Sequence, residues 1–322
     1  MKLLFVLALG LSLLLGFSTE QLAAEDLAED KQKKYYIGYG RLITNDVFGD
    51  GKDRWRTGSF SSSRIWGPKW LGQLPHEFTE VIEVRFLGEI IAPSDLSGKG
   101  GIDRPFVGHL GFGLHSHFQR KRLEYSVGVG ASVLGKQTGL DKFQSDFHKA
   151  LNEKVASELV LSSQIGDQVL FGPLVEVAKT VPGDDEVHIR PFFEAYSTAE
   201  TLARLGANIY FGNGFSNSLY IRDQVTGQRY RTIGASEEKF GFSIGGDIGH
   251  VSKSAFFDGA ESTMLHRRLR FRTGLHWGQN SKQGFAGLTW LSKVFFRTTQ
   301  RPNTGFGSVY FKVLSANQKY KL

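Results

Sequence analysis

Apolar and polar residues alternate along much of this chain with a period of two, and this pattern limits the folds that the chain can adopt. Residues 123–133 show it most clearly, because every odd position is apolar and every even position is polar or glycine. Successive side chains of a β-strand point to opposite faces, so the pattern predicts a strand with one apolar and one polar face. In residues 268–277 the polar face carries Arg268, Arg270 and Arg272, opposite leucines and aromatic residues.

Segments of this kind recur along the chain and predict about twelve strands, an even number, as single-chain bacterial outer-membrane barrels have. Cysteine is absent, which excludes disulfides and zinc–thiolate sites, and hydrophobic residues make up 40% of the chain, below the roughly 45–50% of soluble domains. We therefore predict an all-β transmembrane antiparallel β-barrel, with a soluble periplasmic sandwich as the alternative. The predicted strands are residues 36–43, 59–66, 81–90, 107–118, 123–133, 169–177, 189–196, 203–211, 240–244, 269–277, 284–295 and 308–314.

The amino-terminal residues predict export. Lys2 precedes an apolar run over residues 3–17, and the small residues Ala23 and Ala24 follow it, as in a secretory signal peptide. We expect a signal peptide over residues 1–24, a charged leader over 25–34 and a barrel domain over 35–322. The net charge of +7 is compatible with nucleic acid, anionic lipid or a phosphorylated glycolipid, so charge alone does not identify the partner.

One segment departs from the period of two. Residues 140–151 place Phe143, Phe147 and Leu151 at helical spacing, with no glycine or proline inside the segment. They predict a short amphipathic helix in a loop between two strands. Gln144 and His148 are four residues apart and share one face of that helix, which makes them the first candidates for chemistry.

A second candidate site follows the first strand. Asn45 and Asp46 supply amide and carboxylate oxygens, which are hard ligands suited to calcium. The loop that follows, residues 49–53 with the sequence Gly-Asp-Gly-Lys-Asp, is either part of a calcium site or an ordinary turn. From spacing alone, the turn is the simpler interpretation.

Two further motifs have ordinary explanations. Residues 241–245 match the Gly-x-Ser-x-Gly pattern of a hydrolase nucleophile, but Ser243 lies within an alternating segment and not at a strand-to-helix turn. His115 and His117 share one strand face and could bind a metal. Without a third ligand in view, we expect them to be polar groups that line the interior of the barrel.

Read together, these patterns resemble the LpxR-type family of lipid A 3'-O-deacylases, which are calcium-dependent outer-membrane barrels. The resemblance runs from about residue 36 to the end of the chain. The motifs that carry it are Asn45-Asp46, Thr57-Gly58, Asp103-Arg104-Pro105-Phe106-Val107-Gly108, Gln144 with His148, and Phe256-Phe257-Asp258-Gly259.

The resemblance implies a barrel of 12 strands in the outer membrane of a Gram-negative bacterium, with the short helix in an extracellular loop. It implies a carboxylic ester hydrolase that removes the 3'-linked acyloxyacyl chain of lipid A. The partners are then lipopolysaccharide and outer-membrane lipid, with no nucleic acid, and we expect a monomer. The alternative is a non-enzymatic barrel, either a small channel or a surface protein.

The resemblance also implies roles for individual residues. His148 would be the general base that activates water, and Gln144 would orient water or substrate. Asn45 and Asp46 would hold Ca²⁺, with Thr57 supporting them. Glu153 is a further candidate calcium ligand, although it aligns with the acidic residue of the family only if one residue is deleted after His148.

Overall fold

The computed structural model describes residues 34–46, 55–183, 186–234, 239–257, 264–279, 282–292 and 303–313. Within these ranges no helix has the length and apolar character needed to cross a bilayer. The two α-helices are α1 (Leu140–Ala150) and α2 (Glu158–Ser162). The strands are β1 (Tyr35–Asn45), β2 (Trp55–Gly67), β3 (Val81–Ala92), β4 (Val107–Arg120), β5 (Leu123–Leu134), β6 (Gln168–Ala178), β7 (Val181–Pro182), β8 (Val187–Ser197), β9 (Glu200–Phe211), β10 (Leu219–Arg222), β11 (Arg229–Ile233), β12 (Lys239–Ser254), β13 (Arg267–Gln279), β14 (Lys282–Leu291) and β15 (Asn303–Val313).

The long strands form a closed antiparallel barrel. In the part of the chain that the structure describes, twelve of them pair in the circular order β1-β2-β3-β4-β5-β6-β8-β9-β12-β13-β14-β15. Pairing of β1 with β15 and of β6 with β8 closes the ring. The predicted all-β barrel is therefore confirmed, and the alternative of a soluble sandwich is wrong. Each of the twelve predicted segments overlaps one of these strands.

The two faces of the barrel wall differ as the alternation predicts. Large apolar side chains are exposed on the outer face, among them Phe112, Val129 and Phe271, and such a surface is suited to lipid. The inner face is polar and charged. There, Arg272 donates to Asp247 at 2.5 Å and Arg270 donates to it at 3.0 Å. Closing the sheet thus gives the arginines an ionised partner in the interior.

The interior is packed with polypeptide. The connection from β9 to β12 folds into the barrel as the hairpin β10–β11, all of whose strand residues except Arg229 are buried. Tyr230 lies 2.6 Å from the hydroxyl of Ser63, and Asp223, in the turn of the hairpin, accepts from Ser61 at 2.6 Å. The sequence analysis missed this hairpin, which occupies the space that a channel would need.

The connection from β5 to β6, residues 135–167, contains both helices. It leaves the barrel at the end where β1 finishes and β2 starts, opposite the two-residue turn between β4 and β5. Because such barrels have short periplasmic turns and longer extracellular loops, we assign this end to the cell exterior. The predicted signal peptide, the leader up to residue 33, the loop 49–53 and the Asp258-Gly259 step lie outside the described residues.

Candidate functional site

The ends of β1 and β2 bring together three of the predicted site residues. Asn45 pairs with Gly58, and the backbone N–H of Asp46 donates to the carbonyl of Thr57 at 3.1 Å. Ile43, two residues before Asn45, is exposed on the outer wall, so Asn45 faces outward as well.

Thr57 lies at an irregularity in β2. The register between β2 and β3 shifts between Arg56 and Gly58, so Thr57 is the extra residue of a β-bulge. Bulges re-aim side chains and are common beside active sites. Asp46 and Thr57 are both buried, although each stands at the edge of the barrel. A segment outside the strand pairing must therefore cover Thr57.

Helix α1 provides that cover. The chain enters the helix through Gly139, which has the left-handed backbone φ of 68° that favours glycine. A Cβ added at Gly108 on β4 would clash with Oγ1 of Thr138 and would approach Cβ of Leu140 to 3.2 Å. The glycine of the Asp-Arg-Pro-Phe-Val-Gly motif therefore permits the start of α1 to pack directly on the barrel wall.

The buried face of α1 carries the two candidates for chemistry. Gln144 is only 5% exposed and His148 only 7% exposed. Nε2 of Gln144 lies 3.4 Å from Oγ1 of Thr57 and donates to it. His148 follows one helical turn later on the same face, about 5–6 Å away between Cβ atoms. Helix α1 thus places Gln144 against Thr57 near the start of β2, with His148 on the same buried face of the helix.

A backbone carbonyl fixes the proton on His148. Nδ1 of His148 lies 2.6 Å from the carbonyl oxygen of Lys154. Because a carbonyl can only accept, Nδ1 carries the hydrogen, and Nε2 of the neutral ring keeps its lone pair. This partner could not be predicted from sequence, since every residue has a carbonyl group.

Glu153 lies beside this contact. Its N–H donates to the carbonyl of His148 at 2.8 Å, and the residue is exposed. The structure thus places Glu153 three residues beyond the end of the helix, with its backbone N–H held by the backbone carbonyl of His148. The acidic residue and the carbonyl that orients the imidazole are adjacent in sequence.

The loops around α1 are joined by packing and backbone hydrogen bonds. The N–H of Ser157, which caps α2, donates to the carbonyl of Leu96 at 2.8 Å. Phe106 is fully buried against Val160 of α2 and Leu96, and Asp103 accepts from the N–H of Ser94 at 2.9 Å. The Asp-Arg-Pro-Phe motif therefore supports the loop that carries α1.

An ion-pair network stabilises the bulge from the interior side. Arg56, next to Thr57, donates to Glu89 at 2.5 Å and to Glu200 at 3.4 Å. Nδ1 of His109 lies 3.3 Å from the second oxygen of Glu89. These buried groups fix the backbone that presents Thr57. Sequence analysis missed Arg56 and Glu89 because the pairing depends on the register of three strands.

The available donors are of the type that calcium prefers. Asp46 offers a carboxylate, Asn45 an amide oxygen and Thr57 a hydroxyl oxygen, all of them hard ligands. Among the described residues, no group of three or more His, Cys, Asp or Glu side chains is arranged to hold a metal. The donor types of Asn45, Asp46 and Thr57 are therefore ones that Ca²⁺ accepts.

The remaining motifs line the interior, as expected. Ser243 is buried in the middle of β12, with its Oγ 3.3 Å from Nε2 of His276 and 3.3 Å from the carbonyl of Gly274. Nε2 of His117 lies 2.7 Å from Glu83. His115 stacks beside His117, with ring centroids 6.1 Å apart. These groups face the packed interior, away from the candidate site.

An apolar stripe lies on α1 beside its buried polar face. Phe143 is 62% exposed, Phe147 is 51% exposed and Leu151 is also exposed. The two phenylalanine rings are nearly parallel, with centroids 6.1 Å apart. Exposed aromatic rings at the edge of a lipid-facing wall are suited to contact with acyl chains. The helix thus presents lipid-binding and polar chemistry on adjacent faces.

One family model and one solved structure agree with this architecture. The family model described as "Outer membrane protein LpxR" matches residues 7–313. Among solved structures, LpxR from Salmonella typhimurium is 16% identical, with a TM-score of 0.67, over 86% of this chain and 100% of that chain. The NanC porin is 6% identical with a TM-score of 0.35, over 86% of this chain and 97% of that chain. Comparison with curated proteins gives no match.

Proposed function

Because the chain belongs to the LpxR family of outer membrane proteins, we propose that it is a lipid A 3'-O-deacylase that hydrolyses the 3'-linked acyloxyacyl ester. The observation that supports this most strongly is the position of Gln144 and His148. They lie on the buried face of a helix that is packed against the outer wall, next to an exposed apolar stripe. A substrate embedded in the outer leaflet could reach such a site laterally, without entering the barrel.

In the proposed reaction, His148 acts first as a base and then as an acid. Nε2 of His148 takes a proton from water as the water oxygen attacks the ester carbonyl carbon. When the tetrahedral intermediate collapses, the bond to the sugar oxygen breaks and Nε2–H returns the proton to that oxygen. The products are a free fatty acid and a sugar hydroxyl. The carbonyl of Lys154 keeps the imidazole in the required tautomer throughout.

Gln144 has a positioning role in this proposal. Its Nε2 donates to Thr57, so its carbonyl oxygen can accept from the attacking water. Nε2 of His148 and Oε1 of Gln144 would then hold the two hydrogens of one water molecule. This assignment of roles predicts that a side chain without the amide at position 144 lowers kcat more than it raises KM.

Calcium is the metal that the donor set fits best. Asp46 and Asn45 would hold the ion, with Glu153 as a further ligand from the loop after α1 and Thr57 in support. When bound, Ca²⁺ supplies positive charge for the ester carbonyl oxygen as negative charge develops on it. With one buried carboxylate, Asp46, and one exposed carboxylate, Glu153, the site implies weaker binding than a site built from more carboxylates.

The test is a mass spectrum of lipid A from cells that express the protein. Wild-type protein should produce a lipid A species that lacks the 3'-linked acyl chains, and His148→Ala should abolish that species. His266→Ala is the matched control, because Nδ1 of His266 also bonds to a backbone carbonyl, that of Val251 at 2.7 Å, but lies outside the site. Identical lipid A from wild-type and His148→Ala cells would rule out the proposal.

A second experiment tests the metal. Purified protein treated with a calcium chelator should lose activity, and added Ca²⁺ should restore it, whereas Asp46→Asn should shift the activation curve to higher Ca²⁺ concentration. Unchanged activity after chelation would show that the reaction does not need calcium. The role of His148 would then still be decided by the lipid A experiment.

A further inference from the structure

Two arginines interrupt the apolar character of the lipid-facing wall below the candidate site. Arg41 on β1 and Arg64 on β2 are exposed on the outer face, whereas β3 and β4 present residues such as Val84, Phe112 and Leu114 there. Charged side chains on the lipid face of a barrel are destabilising. An ionisable residue in such a setting marks a functional site, and its partner must be identified.

The two arginines are close enough to act on one ligand. Tyr39 of β1 is the register partner of Arg64, and Arg41 lies two residues further along β1. Arg41 and Arg64 are therefore diagonal neighbours on adjacent strands, with Cα atoms about 7–8 Å apart. The guanidinium of Arg41 lies 5.8 Å from the ring centroid of Tyr39, so that ring lies beside the pair of cations.

On the described strands around these cations, no acidic side chain lies on the outer face, because Glu83 and Glu89 of β3 are buried on the inner face. Strands β15, β1 and β2 contain no Asp or Glu. Within the part of the chain that the structure describes, no carboxylate lies within ion-pair distance of Arg41 or Arg64. Two neighbouring cations on a low-dielectric surface repel each other strongly. An anion from outside the chain would remove that repulsion.

The depth of the pair indicates which anion can reach it. Arg64 is level with Tyr39, six residues below Asn45, which is ~20 Å along the strand at ~3.3 Å per residue. Arg41 starts two residues nearer Asn45, and its guanidinium lies beside the ring of Tyr39. With a strand tilt of about 40°, this corresponds to a depth of ~15 Å. Further toward the periplasm, the rings of Tyr36 and Trp66 make an edge-to-face contact with centroids 5.6 Å apart. Tyr and Trp are the aromatic residues that concentrate at membrane interfaces.

We propose that Arg41 and Arg64 together bind the phosphodiester of one phospholipid in the periplasmic leaflet. The long arginine side chains extend toward the interface, where guanidinium groups can bind phosphate through paired hydrogen bonds. The acyl chains of this lipid then lie on the apolar wall of β3 and β4. This site is separate from the proposed deacylase site and would remain if that function were disproved.

The experiment uses full-length protein in detergent with added dioleoyl phosphatidylglycerol, and native mass spectrometry counts the bound lipid. Wild-type protein should retain lipid, and Arg41→Gln with Arg64→Gln should lower the bound fraction at least fivefold. Arg41→Lys with Arg64→Lys should bind at an intermediate level, because lysine keeps the charge but not the paired hydrogen bonds. Lys179→Gln with Lys253→Gln removes two exposed cations elsewhere and should leave binding unchanged.

Two results would overturn the proposal. One is equal lipid retention by the glutamine variant and the Lys179/Lys253 control. The other is displacement of the lipid by millimolar inorganic phosphate, which would indicate a site for a free anion. Heat-modifiable gel migration checks the fold of each variant. If the double glutamine variant does not fold, Arg64→Gln alone and the lysine variant decide the question.

Discussion

Gly108 allows a strong test of the idea that α1 must pack tightly on the barrel wall for the site to work. In Gly108→Ala, the new Cβ would clash with Oγ1 of Thr138 and lie 3.2 Å from Cβ of Leu140. The strand is held by β3 and β5 on both sides, so the helix and not the strand must move. A displacement of about 1 Å of the reacting groups costs about 100-fold in rate. We therefore expect activity to fall by about 100-fold while the barrel stays folded.

The cost in stability should be confined to the loop. Overpacking a well-packed contact typically costs about 1–3 kcal/mol, and here the loop that carries α1 can relax outward. Thr138→Ala removes the clashing atom, although it also removes the bond of about 1 kcal/mol that Thr138 donates to the carbonyl of Gly135 at 2.7 Å. The double variant Gly108→Ala with Thr138→Ala should therefore be at least tenfold more active than Gly108→Ala alone, because the remaining contact with Leu140 is less severe.

The assay is the rate at which purified variants remove acyl chains from lipid A, followed by mass spectrometry. Gly88→Ala on the neighbouring strand is the matched control, because the nearest atom to its added Cβ is Cδ2 of Leu110 at 3.8 Å. It should retain wild-type activity. The reasoning is refuted if Gly108→Ala is as active as Gly88→Ala, or if Thr138→Ala lowers the activity of the Gly108→Ala protein further.

Three other outcomes follow from the same structure. Phe143→Ser with Phe147→Ser should raise KM for lipid A in vesicles at least tenfold with little change in kcat, since the two rings lie on the exposed face of α1 and take no part in the proton transfer; a fall in kcat alone would contradict this. Arg56→Gln should lower kcat by about tenfold or more without changing KM. The reason is that Glu89, which is buried behind the Thr57 bulge, loses the guanidinium of Arg56. A wild-type kcat for this variant would show that the bulge does not depend on the ion-pair network. Planar bilayers containing the protein should show no steady ion conductance, because the hairpin β10–β11 is buried in the interior; stable open-channel currents would contradict this and favour the alternative of a channel.

The strands could be predicted because the bilayer leaves few choices. Lipid on one side and a polar interior on the other impose alternation on every strand, so each predicted segment matched a strand. The hairpin β10–β11 could not be found in this way. Both of its faces are buried, as in Ile221 and Arg222 of β10, so it shows no alternation between exposed and buried positions. Its partners, such as Ser61 and Ser63, are distant in sequence.

The candidate site was only partly predictable. Helical spacing placed Gln144 and His148 on one face, and the structure confirms that they share the buried face of α1. The pattern does not reveal which face packs on the barrel, and in the structure the polar pair is buried while Phe143 and Phe147 are exposed. In a water-soluble protein, an amphipathic helix normally packs its apolar stripe against the protein core and exposes its polar face to water. Here the surroundings of the stripe are lipid, so the usual inference from hydropathy is reversed.

The packed interior and the position of the site are connected by one physical requirement. A site on the outside of a barrel has no enclosing pocket, so its precision depends on the stiffness of the wall behind it. In this protein, Arg56, Glu89 and His109 join three adjacent strands directly behind the bulge that carries Thr57. A water-filled channel would expose these ion pairs to solvent and weaken them. Filling the interior thus leaves little space for transport and, by the same packing, stiffens the surface on which we place the lipid chemistry.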